Sequence, residues 1–112
     1  MVKRLPKVEQ TPGEVRILGK VYEVHVIPGF ENCGECIDMK QQIKLQADMP
    51  LALEQDTLLH EVIHALDFGM KLHMKERQVS ALASGLIGVF RDNPAFVQYL
   101  SQQPPPTNGE KN

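Results

Sequence analysis

Apolar and polar residues alternate along the first part of the chain. Across residues 15–27 the apolar side chains recur at alternate positions, with a break at Gly19, and Pro28-Gly29 follows as a turn. Because successive strand residues point to opposite faces, this pattern predicts one bent strand or two short strands with one buried side. Residues 36–39 and 42–46 are two further short candidate strands. We therefore expect a small antiparallel sheet of about three strands.

The period changes to that of a helix in the second half of the chain. Residues 50–68 are apolar around most of a helical circumference, which predicts a central, buried helix with Gly69 as its C-cap. A stripe at helical spacing predicts a second helix over residues 73–91, and Asn93-Pro94 precedes a short third helix over residues 95–100. The expected fold class is α+β, with the sheet preceding the helices.

Length and composition restrict the possible functions. With 112 residues the chain is long enough for one domain. We assign that domain to residues 15–102, between a loose N-terminal arm (1–14) and a disordered, proline-containing tail (103–112). The net charge of −2 offers no electrostatic support for nucleic-acid binding. No apolar run approaches the roughly 20 residues of a membrane span, and no secretory signal is visible, so we expect a cytoplasmic protein.

The strongest chemical signal is the segment His60-Glu61-Val62-Ile63-His64. Residues four apart on a helix share a face about one turn apart, which suits two nitrogen ligands of one zinc ion. Glu61 lies about 100° further round, where its carboxylate can take a proton from water that the metal activates. The alternative is that both histidines are ordinary surface or core residues. Three polar side chains without partners on an otherwise apolar helix are costly, however, and zinc removes that conflict.

A peptidase site needs a third protein ligand, and Glu76 is the leading candidate. It lies twelve residues after His64, at the start of the second helix, and shares a helical face with Val79 and Ala83. That face is expected to be buried, and coordination would explain a carboxylate there. The alternative is a solvated first-turn residue that interacts with the helix dipole.

Two further polar residues compete for roles near the metal. His73 reaches it if the turn between the helices is tight, either as an alternative ligand or as an oxyanion-stabilising group. Asp67 lies three residues after His64, and its more natural role is to accept a hydrogen bond from an imidazole that binds the metal. Each is otherwise an ordinary polar residue at a helix end. Tyr22 and Tyr99 are the other oxyanion candidates.

Residues 57–66, which read Thr-Leu-Leu-His-Glu-Val-Ile-His-Ala-Leu, together with Lys75-Glu76-Arg77 resemble the small gluzincin-type zinc metallopeptidases. The chain is most similar to the phage and prophage ImmA/IrrE-like and minigluzincin group, which would place it in a bacterial host. It departs from that group's Glu-Ala-Asn pattern at residues 76–78. The resemblance implies a minimal zincin fold, with a glutamate of the second helix completing the site. It also implies an extended peptide substrate bound by strand addition along Gln42–Gln46.

These residues predict a zinc-dependent peptidase with one zinc ion per chain. His60, His64 and Glu76 would bind the metal, and Glu61 would act as general base and then as proton donor. The alternative from another class is a zinc-stabilised binding module that keeps the fold without turnover. Glu61 separates the two hypotheses, because a purely structural zinc site has no use for a base.

Overall fold

The computed structural model describes residues 10–105, which form a mixed sheet followed by helices. The strands are β1 (Glu14–Ile17), β2 (Lys20–Ile27), β3 (Gly34–Ile37) and β4 (Gln42–Gln46). The helices are α1 (Leu51–Met70), α2 (Glu76–Asp92) and α3 (Pro94–Ser101). The predicted α+β class is confirmed. None of the described helices is long and apolar enough to cross a membrane. Most of the predicted arm and tail, residues 1–9 and 106–112, lies outside the described residues.

The sheet is mixed and has four strands in the order β1-β2-β4-β3, so the prediction of about three antiparallel strands is wrong. β1 pairs antiparallel with β2, and β3 with β4, but β2 and β4 are parallel. The reason is that β3 lies beyond β4, so the chain leaves β2, forms the outer strand and returns between the two. Alternating hydrophobicity predicts strands but carries no information on this order. β1 and β3 are consequently the edge strands, and β4 is paired on both sides.

Helix α1 is central because it packs on both the sheet and α2. On the sheet side Ala65 joins a cluster that includes Ile43 and Leu45, both fully buried. On the other side Ile63 packs with Val79 and Ala83 of α2. The predicted apolar circumference of this helix is thereby explained. His60, Glu61 and His64 lie between edge strand β3 and α2, where the candidate site is.

The connection between α1 and α2 differs from the expected one. Gly69 was expected to end the helix, but it remains helical, and Lys71 in the left-handed conformation (φ 56°) is the C-cap. Gly69 is needed for close packing, because a Cβ atom there would lie 2.5 Å from Cδ1 of Leu18 in the β1–β2 turn. His73 is also left-handed (φ 58°), so α2 begins only at Glu76.

Candidate metal centre

Three predicted ligands converge between α1 and α2. His60 and His64 lie one turn apart on α1, with ring centroids 4.9 Å apart. Glu76, the first residue of α2, reaches both rings. Its Oε2 atom is 2.8 Å from Nε2 of His60, and its Oε1 atom is 3.0 Å from Nε2 of His64. The expected fold-back of the second helix onto the histidine motif is therefore present.

Glu76 is more exposed than predicted. Glu76 was expected on a buried face, but 66% of its side chain is exposed, although Val79 and Ala83 on the same helix are fully buried. The first turn of α2 projects beyond the core, so this carboxylate lies at the rim of the cleft. Its direction toward two imidazoles, rather than its burial, is what distinguishes it from an ordinary first-turn residue.

The donor set fits zinc. One ligand atom from each of His60, His64 and Glu76 can be chosen so that all lie within 4.8 Å of one another. Donors at zinc distances of about 2.0–2.1 Å in a tetrahedral arrangement stand about 3.3 Å apart. The two histidine–Glu76 contacts, each to a different carboxylate oxygen, are within a few tenths of an ångström of that value, and the remaining separation between donors is at most 4.8 Å. Two imidazoles and one carboxylate are also the ligand types of catalytic zinc sites. In the structure itself these contacts are hydrogen-bonded ion pairs between the carboxylate and the two imidazoles.

Glu61 lies beside the cluster, against edge strand β3. Glu61 is only 6% exposed. A Cβ atom on Gly34 would lie 3.1 Å from Oε2 of Glu61 and 2.6 Å from Cγ2 of Thr57, so β3 approaches α1 as closely as a glycine allows. Burial raises the pKa of Glu61 above its ordinary value, while the imidazoles of His60 and His64 act in the opposite direction.

Asp67 and His73 occupy other positions than those expected. Among the described residues, the side chain of Asp67 accepts a hydrogen bond from the backbone N–H of Met74 (3.1 Å), and none joins it to an imidazole. Its backbone carbonyl accepts the N–H of the C-cap Lys71. Asp67 therefore holds the connection that positions α2. His73 is exposed in that connection and is not part of the ligand cluster.

Neither tyrosine lies at the candidate site. The hydroxyl of Tyr22 donates a hydrogen bond to Oδ1 of Asp38 at 2.5 Å, beneath the β1–β2 turn. Burial, followed by this hydrogen bond, raises the pKa of Tyr22 to about 12. Tyr99 is on α3 and is 67% exposed. Neither residue lines the two cavities beside the ligand cluster.

Two cavities flank the cluster along β3, and both are lined by Gly34, His60, Glu61 and Glu76. The first, called the Asp56 cavity, has a volume of about 300 Å³ and is further lined by Cys33, Asp56, Thr57, Ser80 and Ser84. The second, called the Phe68 cavity, has a volume of about 320 Å³ and is further lined by Glu35, Cys36, His64 and Phe68. Together they form a cleft that crosses the ligand cluster beside β3.

Several of these lining residues were missed from the sequence. Asp56 precedes His60 by four residues, and Ser80 and Ser84 follow Glu76 by four and eight. Helical spacing places Ser80 on the face of Glu76, but by itself it gives neither the serines nor Asp56 a role there. Gly34 carries no such signal, because its role depends on how closely β3 packs on α1.

Comparisons with protein-family models, with curated proteins and with solved structures give no match to this chain. The function therefore has to be inferred from the site itself.

Proposed function

We propose that this protein is a zinc-dependent peptidase of the gluzincin type. His60, His64 and Glu76 would hold one zinc ion, and Glu61 would be the catalytic base. The observation that carries the proposal is the convergence of both imidazoles on one carboxylate, at 2.8 and 3.0 Å, beside a nearly buried glutamate. Coordination of one metal ion by all three side chains would explain why the exposed Glu76 contacts two histidines of another helix at once.

The protein's own contribution to hydrolysis is proton transfer and substrate placement. When bound, zinc supplies Lewis acidity toward water and the scissile carbonyl. Glu61 accepts the proton of the attacking water as the new C–O bond forms. It then delivers a proton to the leaving nitrogen as the C–N bond breaks. Glu61 lines both cavities, so a peptide that crosses the cleft in either direction passes beside it.

The peptide would add to β3 rather than to β4. Gln42–Gln46 was the expected docking strand, but β2 and β3 already occupy both of its edges. An extended peptide needs a free row of backbone N–H and C=O groups. The free edge of the sheet nearest the ligand cluster is that of β3, whose residue Gly34 lines both cavities.

A zinc-stabilised binding module is the second candidate, and one observation favours it. None of the described residues that line the two cavities is a tyrosine, arginine or lysine, so apart from the proposed histidine ligands they offer no cationic or phenolic side chain to an oxyanion. Turnover would then depend on the metal alone for that stabilisation. A module of this kind would still bind zinc and an extended peptide, but it would not cleave the peptide.

Zinc content and peptide cleavage on the same preparations test the proposal. The wild type should bind about one zinc per chain and cleave members of a fluorogenic peptide library. His60→Ala, His64→Ala and Glu76→Ala should lose most of the metal, whereas His73→Ala, a matched control outside the cluster, should retain it. Glu61→Gln should keep zinc and lose activity by about 10²–10⁴-fold. Zinc bound stoichiometrically by a His60→Ala/His64→Ala double variant would refute the metal site, and wild-type cleavage by Glu61→Gln would refute the mechanism.

A further inference from the structure

The Asp56 cavity lies between matching faces of two helices. On α1, Asp56 precedes His60 by one turn, and on α2 the serines Ser80 and Ser84 follow Glu76 at intervals of four residues. The serine side chains are short, which leaves a space of about 300 Å³ between the helices. This space begins at the ligand cluster and at Glu61, so a side chain adjacent to the reacting bond would enter it.

The carboxylates that line this cavity have no lysine or arginine among the described lining residues to balance them. Asp56 is half-buried, and its hydrogen bond among the described residues is from Oγ of Ser84, at 3.3 Å. No lysine or arginine lines the cavity, and the salt bridges of residues 10–105 do not include Asp56. The other carboxylates that line the cavity are Glu61, the proposed base, and Glu76, which contacts the two imidazoles. Asp56 is thus a half-buried carboxylate without a cationic partner among the described residues, and an incoming cation would supply one.

We propose that the Asp56 cavity selects a lysine or arginine side chain of the substrate, and that Asp56 is the residue that determines this specificity. This inference rests on the proposed peptidase function. Asp56 is about 6 Å along the axis of α1 from His60, a distance that the four-carbon stem of lysine can cover. The serine hydroxyls provide acceptors for the remaining N–H groups of an ammonium or guanidinium.

The direction of the peptide follows from β3. Antiparallel pairing is the more stable arrangement, so a peptide added to the free edge would run from Ile37 toward Gly34. Its residues before the scissile bond then lie at the Phe68 cavity, which Cys36 lines, and those after the bond lie at the Asp56 cavity, which Cys33 lines. The basic residue is therefore the one that directly follows the scissile bond.

The first experiment compares cleavage of matched peptides by the zinc-loaded protein. The peptides differ only in the residue after the scissile bond, which is lysine, arginine, norleucine or glutamate. Wild type should prefer lysine or arginine over glutamate by at least about 10-fold, the effect of one hydrogen bond to a charged group. Asp56→Asn, which keeps the shape and the Ser84 contact, should reduce that ratio to within a few fold. Asp92→Asn removes one negative charge at the end of α2 and should leave the ratio unchanged. Cleavage without a basic preference, or with a preference that Asp56→Asn retains, would overturn the inference and leave the peptidase proposal standing.

The second experiment does not depend on cleavage. Cys33 is exposed and lines the Asp56 cavity, whereas Cys36 is half-buried and burial raises the pKa of its thiol to about 12. The rates at which Cys33 reacts with cationic and anionic methanethiosulfonates therefore report the charge of the cavity, with the modified residue identified by mass spectrometry. The cation-to-anion rate ratio should fall several-fold in Asp56→Asn and stay constant in Asp92→Asn.

The two experiments separate the two proposals. Asp56-dependent labelling of a protein that cleaves no peptide would refute the proposed peptidase function and support the cation preference of the cavity. A labelling ratio that does not change in Asp56→Asn would refute the cation preference, whether or not peptides are cleaved.

Discussion

Replacing Gly34 by alanine tests how closely edge strand β3 must approach helix α1. Gly34 does not belong to the described glycines with positive φ, so alanine can adopt its backbone conformation. The obstacle is steric. The added Cβ atom would lie 2.6 Å from Cγ2 of Thr57 and 3.2 Å from Cγ of Glu61. Thr57 is 8% exposed, so its methyl group has little space into which it can move.

The expected magnitude follows from these contacts. Ordinary carbon–carbon contacts are about 3.5–4.0 Å, so the contact with Thr57 is short by about 1 Å. Relieving it requires β3 to move away from α1 or Thr57 to leave its rotamer, which typically costs about 1–3 kcal/mol. A gain of about 0.4–1 kcal/mol from the stiffer unfolded chain offsets part of this cost. We therefore expect Gly34→Ala to lower the free energy of unfolding by about 1–2 kcal/mol. It should also lower activity, because Glu61 is displaced.

Urea unfolding of the zinc-free protein measures this effect without a contribution from metal binding. Thr57→Ser removes the clashing methyl group. The Gly34→Ala/Thr57→Ser double variant should therefore be more stable, by about 1 kcal/mol, than the sum of the two single effects on the free energy of unfolding predicts. Gly85→Ala is the matched control, since a Cβ atom on this helical glycine meets no atom within 4 Å and should stabilise the protein by up to about 1 kcal/mol. Equal stabilities of Gly34→Ala and Gly85→Ala, or strict additivity with Thr57→Ser, would refute the close-approach argument.

Two further substitutions test groups away from the proposed ligands. Asp67→Ala removes the acceptor that holds the α1–α2 connection. If the loss of this one hydrogen bond is felt at the site, zinc affinity in a chelator competition should fall by roughly 2–10-fold. Asp67→Asn keeps an acceptor oxygen and should stay near wild type, so equal losses in the two variants would contradict this role. Tyr22→Phe should lower the free energy of unfolding by about 1.5–3 kcal/mol at pH 7, because a hydrogen bond to a carboxylate is lost. The pKa of Tyr22 is raised from 10.0 to about 12, so the folded state holds this proton more tightly than the unfolded state does. The stabilisation from this hydrogen bond is complete below about pH 10 and is lost as pH rises through about 12. If the free energies of unfolding of Tyr22→Phe and wild type differ by a constant amount across this range, the proposed role of the Tyr22 hydroxyl is wrong.

Local patterns predicted the elements well and their ends less well. β4 was predicted with the bounds that it has, Gln42–Gln46, and residues 15–27 divide into two strands at the turn containing Gly19. The end of α1 was missed because Gly69 serves packing against Leu18 rather than capping. A glycine near the end of a helical pattern has the same sequence signature in both cases.

The sequence by itself determined the helical spacing of His60, Glu61 and His64, because positions on a single helix follow from its period. It also determined the apolar faces that make α1 central. Only the tertiary structure decided which groups from other elements meet these residues. The approach of Glu76 depends on the connection held by Asp67, and the close contact of Gly34 depends on β3 lying at the outer edge of a mixed sheet. Strand order, loop path and interhelical distance arise from contacts between residues far apart in the chain, and no local period encodes them.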